Sequence, residues 1–237
     1  MPSTLRPGDF GADVSQWQRL IGLGPRVEGS MDDFTVLATI KWQTAHRLVP
    51  DGIVGPKSWA AALSPFPRPD FAPLGARRAE VFGAFEWSDD DNDGWIKIHG
   101  SWAKDHIITL VVPQLRGIAS SNSFPCHVKA AEPLLGFFSD IEQAGLLDRI
   151  KSFGGCWAPR RIRRAGGGFS DALSAHAWGT AIDINVAWNG LGKAPAPLGA
   201  EGSVVELLPM AYKHGLYWGG LFGSPDGMHF EAAKVTA

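Results

Sequence analysis

The chain is poor in cysteine. Its 237 residues carry two, Cys126 and Cys156, too few for a disulfide scaffold and without the CxxC spacing of a thiolate zinc site. Two buried thiols are the expected state, with a single disulfide as the alternative. An excess of one charge is also missing: 22 Lys and Arg against 24 Asp and Glu leave a formal net charge of −2. That balance excludes the electrostatic footprint of a general nucleic-acid binder. No run of 18 apolar residues occurs, so no transmembrane helix is expected. The opening MPSTLRPGDFG lacks the apolar stretch of a secretory signal. The expectation is a protein made in the cytoplasm without a signal peptide, with neither membrane nor nucleic acid as partner; work outside the cytoplasm would require export or release by another agent. Tryptophan, by contrast, is plentiful, at ten residues. Most are expected in cores and some as sugar-stacking surfaces.

Composition is otherwise that of a globular protein, and proline punctuates it. Residues 64–78, SPFPRPDFAPLGARR, hold prolines 65, 67, 69 and 73, which sustain neither a helix nor a central strand. This segment reads as a semi-stiff linker between a domain at 1–63 and another at 79–237. The first domain contains a weak internal repeat: VSQWQRLIGL (14–23) is echoed by TIKWQTAHRL (39–48). Both place Trp-Gln within an apolar helical period, Val14, Trp17, Leu20 and Ile21, then Ile40, Trp42 and Leu48. Asp51-Gly52 is a turn, and Pro56 suits the first position of a last short helix, giving three helices in all.

The second domain reads as α+β. Residues 80–87, 94–100 and 106–115 have strand patterns, 127–150 has helical spacing with Pro133 opening a fresh turn or a kink, 203–215 reads as a helix stopped by Gly215, and 227–233 as a final strand. His214, in the last turn of its helix, suits a helix-end role better than metal ligation. DDDNDG (89–94) begins like a calcium loop, but position 12 would be Gly100 and the flanks read as strand, so an acidic hairpin turn is expected.

The chemistry concentrates in SAHAWGTAID (174–183) and SPDGMHFE (224–231). His176 sits seven positions before Asp183, and Gly179 with Thr180 argues against one continuous helix; a loop carrying His176 that turns into a strand carrying Asp183 brings both into one cleft. A buried carboxylate beside an imidazole needs a partner, and a shared cation supplies one. His229 provides a third ligand. Two histidines and one carboxylate form a common catalytic zinc set with a position left open. Asp226, three residues before His229, is placed to act as base after a bend at Pro225–Gly227; Glu231, on the strand face of His229, is the reserve base or a hydrogen-bond partner behind the ligands.

Two resemblances follow from these motifs. DGIVGPKSW (51–59) resembles the ending of the peptidoglycan-binding domain type 1 family, although EGSMDDFT (28–35) departs from that family's first-half turn. S-A-H-A-W-G-T-A-I-D and P-D-G-M-H-F-E resemble the two motifs of the M15 metallopeptidases, a group that includes D-alanyl-D-alanine carboxypeptidases and phage L-alanyl-D-glutamate endopeptidases. The resemblance implies a hedgehog/DD-peptidase-like α+β fold with an antiparallel sheet, Zn2+ held by His176, Asp183 and His229, and Asp226 as catalytic base. In GGCWAPRRIRR (154–164) it points to Arg160 and Arg163 as substrate-carboxylate ligands, the alternative being a solvated basic face. Ser174 either braces the loop or contacts substrate. The implied activity is that of a peptidoglycan peptidase of endolysin or autolysin type, monomeric by default. L-Ala–D-Glu cleavage is favoured, with D-alanyl-D-alanine carboxypeptidase as the alternative; a non-catalytic wall-binding protein and a glycosidase are the rivals from other classes.

Overall fold

The computed structural model describes residues 3–23, 26–46, 48–62, 68–90 and 93–235. The chain divides into two compact units, Met1–Asp70 and Phe71–Ala237. Each has its own core.

In the first unit, α1 (Ala12–Leu20), α2 (Asp33–Ala45) and α3 (Pro56–Ala62) surround Leu5, Val14, Trp17, Met31, Val54 and Trp59. The Asp32 side chain caps α2 by accepting from Thr35 N. Trp17 lies at the centre, edge-on to Trp42 at 5.0 Å and to Trp59 at 5.5 Å between ring centroids. The buried face of α2 differs from the apolar one expected. Thr35, Thr39 and Gln43 point inward, while Ile40, Trp42 and Leu48 are half-buried. The reason is hydrogen bonding: a buried indole N–H needs an acceptor, and Trp17 Nε1 donates to Thr39 Oγ1 at 2.9 Å.

The Trp-Gln repeat is realised as two equivalent clamps. Gln18 Oε1 accepts from Gly29 N (2.8 Å) and its Nε2 donates to Ser30 O (3.0 Å). Gln43 Oε1 accepts from Gly52 N (2.9 Å) and its Nε2 donates to Ile53 O (2.9 Å). Both clamped glycines have left-handed φ, 72° and 70°, so each amide holds a turn that a side chain at that position would strain.

The second unit begins before the expected domain boundary. Part of the proline-rich segment, 64–67, lies outside the described residues, but Phe71 already packs edge-on to Tyr212 and Tyr217. A 3₁₀ turn over Gly75–Arg77 leads into α4, Arg78–Phe82. Residues 80–87 are therefore not the strand expected there. One helical turn puts Arg78 and Phe82 on the same buried side, and Gly83 at φ 87° ends it.

Four small sheets follow. Strand β1 (Trp87–Asp90) pairs with β2 (Trp95–Ile98) as an antiparallel hairpin. Its tip includes 91–92, outside the described residues, so the acidic turn itself is not seen. After α5 (Trp102–His106), β3 (Ile107–Val111) pairs with β4 (Ser123–His127), and β5 (Arg161–Arg163) pairs with β6 (Phe169–Leu173). The expected strand at 106–115 stops at Val111 because Pro113 opens a 3₁₀ turn. The last sheet has β9 (His229–Ala232) between β7 (Ala181–Asp183) and β8 (Leu216–Trp218).

Helix α6 (Val128–Gln143) backs this sheet. It runs through Pro133, and its stripe of Ala130, Leu134, Phe137, Phe138 and Ile141 is fully buried. Phe137 meets Phe230 of β9 at 5.6 Å. The expected helix at 203–215 is a 3₁₀ turn followed by α7 (Leu208–Lys213). His214 caps it and reaches Asp140 Oδ2 at 2.9 Å, a helix-end role. Both cysteines are free and buried; burial pushes the Cys126 thiol up to about 12.

The clamps make a quantitative expectation. Gln43→Ala strands the buried Gly52 N–H, so it should destabilise the first unit by about 1–3 kcal/mol, read as a lower urea midpoint. An unchanged midpoint would show that the amide is dispensable.

Candidate metal centre

Strand alternation builds half of the site. Asp183 and His229 are directly opposed in the β7–β9 register, so their side chains leave the same face. Ile182 and Phe230, also paired, turn the other way into the core. Glu231 shares the face of His229.

His176 arrives from a 3₁₀ turn, Ala175–Trp178, rather than an open loop. Ser174 caps that turn, its Oγ accepting from His176 N at 3.3 Å, and is 5% exposed. Gly179 ends the turn at φ 66°, where an added Cβ would meet His127 N at 3.0 Å, and the chain then enters β7.

The three side chains converge. Their ligating atoms lie within 4.8 Å of one another. His176 Nε2 is 3.2 Å and His229 Nδ1 is 3.4 Å from Asp183 Oδ1. A tetrahedral zinc ion with bonds near 2.1 Å has ligand–ligand edges of roughly 3.4 Å, so the spacing fits. The far ring nitrogens reinforce this. His176 Nδ1 lies 2.7 Å from Cys156 O, a carbonyl that can only accept. His229 Nε2 lies 3.1 Å from Glu231 Oε2. With the outer ring nitrogens engaged by Cys156 O and Glu231, neutral imidazoles would turn their lone pairs toward Asp183, an arrangement suited to a shared cation.

The electrostatics agree. Burial raises the Asp183 pKa, but hydrogen bonds and charge from His176 and His229 outweigh it and hold the carboxyl well below the usual range. For His229, burial lowers the pKa, and the Asp183 and Glu231 carboxylates overcome it, to about 10. Without a metal, the pocket would therefore draw a proton to the His229 imidazole.

Asp226 stands beside this cluster. Its backbone carbonyl accepts from His229 N at 3.1 Å, a tight turn just before β9. Its Oδ1 is buried and lacks a hydrogen-bond partner among the described residues. Burial first, and the Asp183 charge second, raise its pKa against the opposing pull of His229, His176 and Arg160. An orphaned carboxylate oxygen with a raised pKa, facing two imidazoles, is equipped to take up a proton.

The two expected arginines differ in burial. Burial first and the neighbouring Arg163 charge second lower the Arg160 pKa. Arg160 is half-buried and lies in the field of Asp183 and Asp226. Arg163 is exposed and is not brought to the ligands. Their neighbour Arg161 is engaged elsewhere: it forks onto Asp89 at 2.7 and 2.8 Å and lies over Trp87, tying β5 to the first hairpin. Glu231 is 4% exposed and paired with Arg78 at 3.0 Å. It thus lies between His229 and Arg78, hydrogen-bonded to one and ion-paired with the other. Arg78 escaped sequence reading because it lay in the segment taken for a linker. In charge, the carboxylates of Asp183, Asp226 and Glu231 face the guanidiniums of Arg78 and Arg160, leaving room for a cation.

The peptidase M15_4 family model, described as D-alanyl-D-alanine carboxypeptidase, matches residues 168–232. That span includes His176, Asp183, Asp226 and His229 but not Arg160. Among solved structures, an endolysin of the Burkholderia phage AP3 is 38% identical over 34% of this chain and 33% of its own, with a TM-score of 0.25. The matched region spans about a third of that endolysin. No curated protein matches. Among the described residues, no helix is long and apolar enough to cross a membrane.

Alanine at His176, Asp183 or His229 should each drop bound zinc from about one ion per chain to near none after dialysis, by elemental analysis. Full zinc retention in all three would contradict the assignment.

Proposed function

We propose that the protein is a zinc-dependent peptidoglycan peptidase of the M15 type, acting on bacterial cell wall as an endolysin or autolysin does. The observation that carries this reading is the convergence of His176, Asp183 and His229 beside the orphaned Asp226 carboxylate. The M15_4 match over the same residues supports it.

His176 Nε2, His229 Nδ1 and Asp183 Oδ1 would hold the ion. When bound, zinc polarises a scissile carbonyl and acidifies water. Asp226 then receives the proton of the attacking water at its free Oδ1 and delivers it to the leaving amine. Its raised pKa suits both halves of that task. Arg160, kept cationic beside the site, binds a substrate carboxylate and sets register along the stem peptide. Buried Cys156 O and Glu231 hold the two imidazoles in their ligating orientation.

L-Ala–D-Glu cleavage is the favoured specificity. The description of the matching family favours the second reading, a D-alanyl-D-alanine carboxypeptidase. Arg160 serves either, since both substrates present a carboxylate near the cut bond. Residues 1–63 would tether the enzyme to wall polymer and raise the local substrate concentration.

Mass spectrometry of digested muropeptides separates these readings, because new L-Ala and D-Glu termini mark the endopeptidase and loss of terminal D-Ala marks the carboxypeptidase. Unchanged muropeptides with zinc present would contradict both. Asp226→Asn should lower turnover about 10²–10⁴-fold while keeping its zinc. Because the folded state raises the Asp226 pKa, the ionised carboxylate weakens the fold above the ordinary carboxylate range. The same variant, stripped of metal at pH 7, should therefore melt at a higher temperature than the parent. Retained turnover would remove Asp226 from catalysis.

A further inference from the structure

We propose that Arg78 is a positioning residue of the metal centre, a buried staple that joins the two elements supplying its histidines. The proposal rests on the zinc reading above and goes beyond the residues that ligate or react. Arg78 is 8% exposed. Its Nη2 donates to both oxygens of Glu231, at 3.0 and 3.1 Å. Glu231 Oε2 in turn accepts from His229 Nε2 at 3.1 Å. The carboxylate is thus held between a guanidinium and an imidazole, which fixes the His229 proton on Nε2 and leaves Nδ1 facing Asp183.

The same guanidinium reaches the other ligand arm. It lies over the Trp178 ring, 5.6 Å from the centroid. Trp178 ends the 3₁₀ turn that carries His176. Its indole Nε1 donates to Gly83 O at 2.9 Å, just past α4. One helical turn of five residues, α4, therefore contacts the element of each histidine. Neither contact requires a metal to form.

Charge makes the same point. Glu231 is buried and, without Arg78, would be an uncompensated anion behind His229. Such a carboxylate would lose its fixed anchor, and the hydrogen bond that orients the His229 ring would loosen. Arg78 cancels that charge while keeping the hydrogen bond.

The test uses the full-length chain and measures zinc affinity by competition with a chromophoric chelator, independent of turnover. Arg78→Ala is expected to bind zinc about 10–100-fold more weakly, and Arg78→Lys to recover part of the loss. Arg77→Ala, whose exposed side chain pairs with Glu80, is the control and should match the parent. In the zinc-loaded parent, ¹⁵N shifts of the His229 ring should report a protonated Nε2, and in Arg78→Ala this signature should broaden or move. A folded Arg78→Ala with parental affinity and an unchanged His229 signal overturns the proposal. Should Arg78→Ala fail to fold, the charge-neutral pair Arg78→Met/Glu231→Gln decides: weakened zinc binding supports the staple, and parental binding overturns it. A parent that binds no zinc would instead defeat the metal reading, and the staple with it.

Discussion

Everything in the second unit turns on one carboxylate placed between two imidazoles. Asp183 is 16% exposed at its side chain, and both histidines approach the same oxygen. Such a cluster is costly in a protein interior unless its charges are matched. The sheet register makes it unavoidable, because pairing Asp183 with His229 across β7 and β9 cannot be undone without moving Ile182 and Phe230 out of the core. The hydrophobic face thus fixes where the polar face must meet.

Around that point, the fold commits the outer nitrogen of each ring. A backbone carbonyl takes one and a buried glutamate takes the other. This division turns the inner nitrogen of each ring toward Asp183, the geometry a shared cation would use. The flanking residues then fall into place by function. Asp226 keeps an oxygen without a partner among the described residues, Arg160 sets a positive charge near Asp183 and Asp226, and Ser174 and Gly179 shape the turn that delivers His176. The long helix α6 contributes no ligand; it supplies the packed floor on which β9 lies.

The convergence of these side chains was legible in sequence because their spacing follows local geometry: a turn, a glycine and a short strand set His176 and Asp183, and an i+3 turn sets Asp226 against His229. The three helices of the first unit were legible from Trp-Gln periodicity and the glycine turns. What escaped was decided by partners distant in sequence. The inward face of α2 is threonine and glutamine because Trp17 and two glycine turns need hydrogen bonds, which hydrophobic periodicity does not encode. Residues 80–87 alternate like a strand, yet Arg78 is drawn into a helical turn by Glu231, 153 residues away. Arg161 and Arg163 look equivalent to Arg160 in the string RRIRR, and only the position of Asp89 and of the cleft tells them apart.

X-ray absorption at the zinc edge on the full-length, zinc-loaded protein tests the central claim most directly. The account expects a shell of nitrogen and oxygen ligands near 2.0–2.1 Å, with multiple-scattering features of two imidazoles and no sulfur. A sulfur shell near 2.3 Å, or an oxygen-only shell without imidazole scattering, would contradict it.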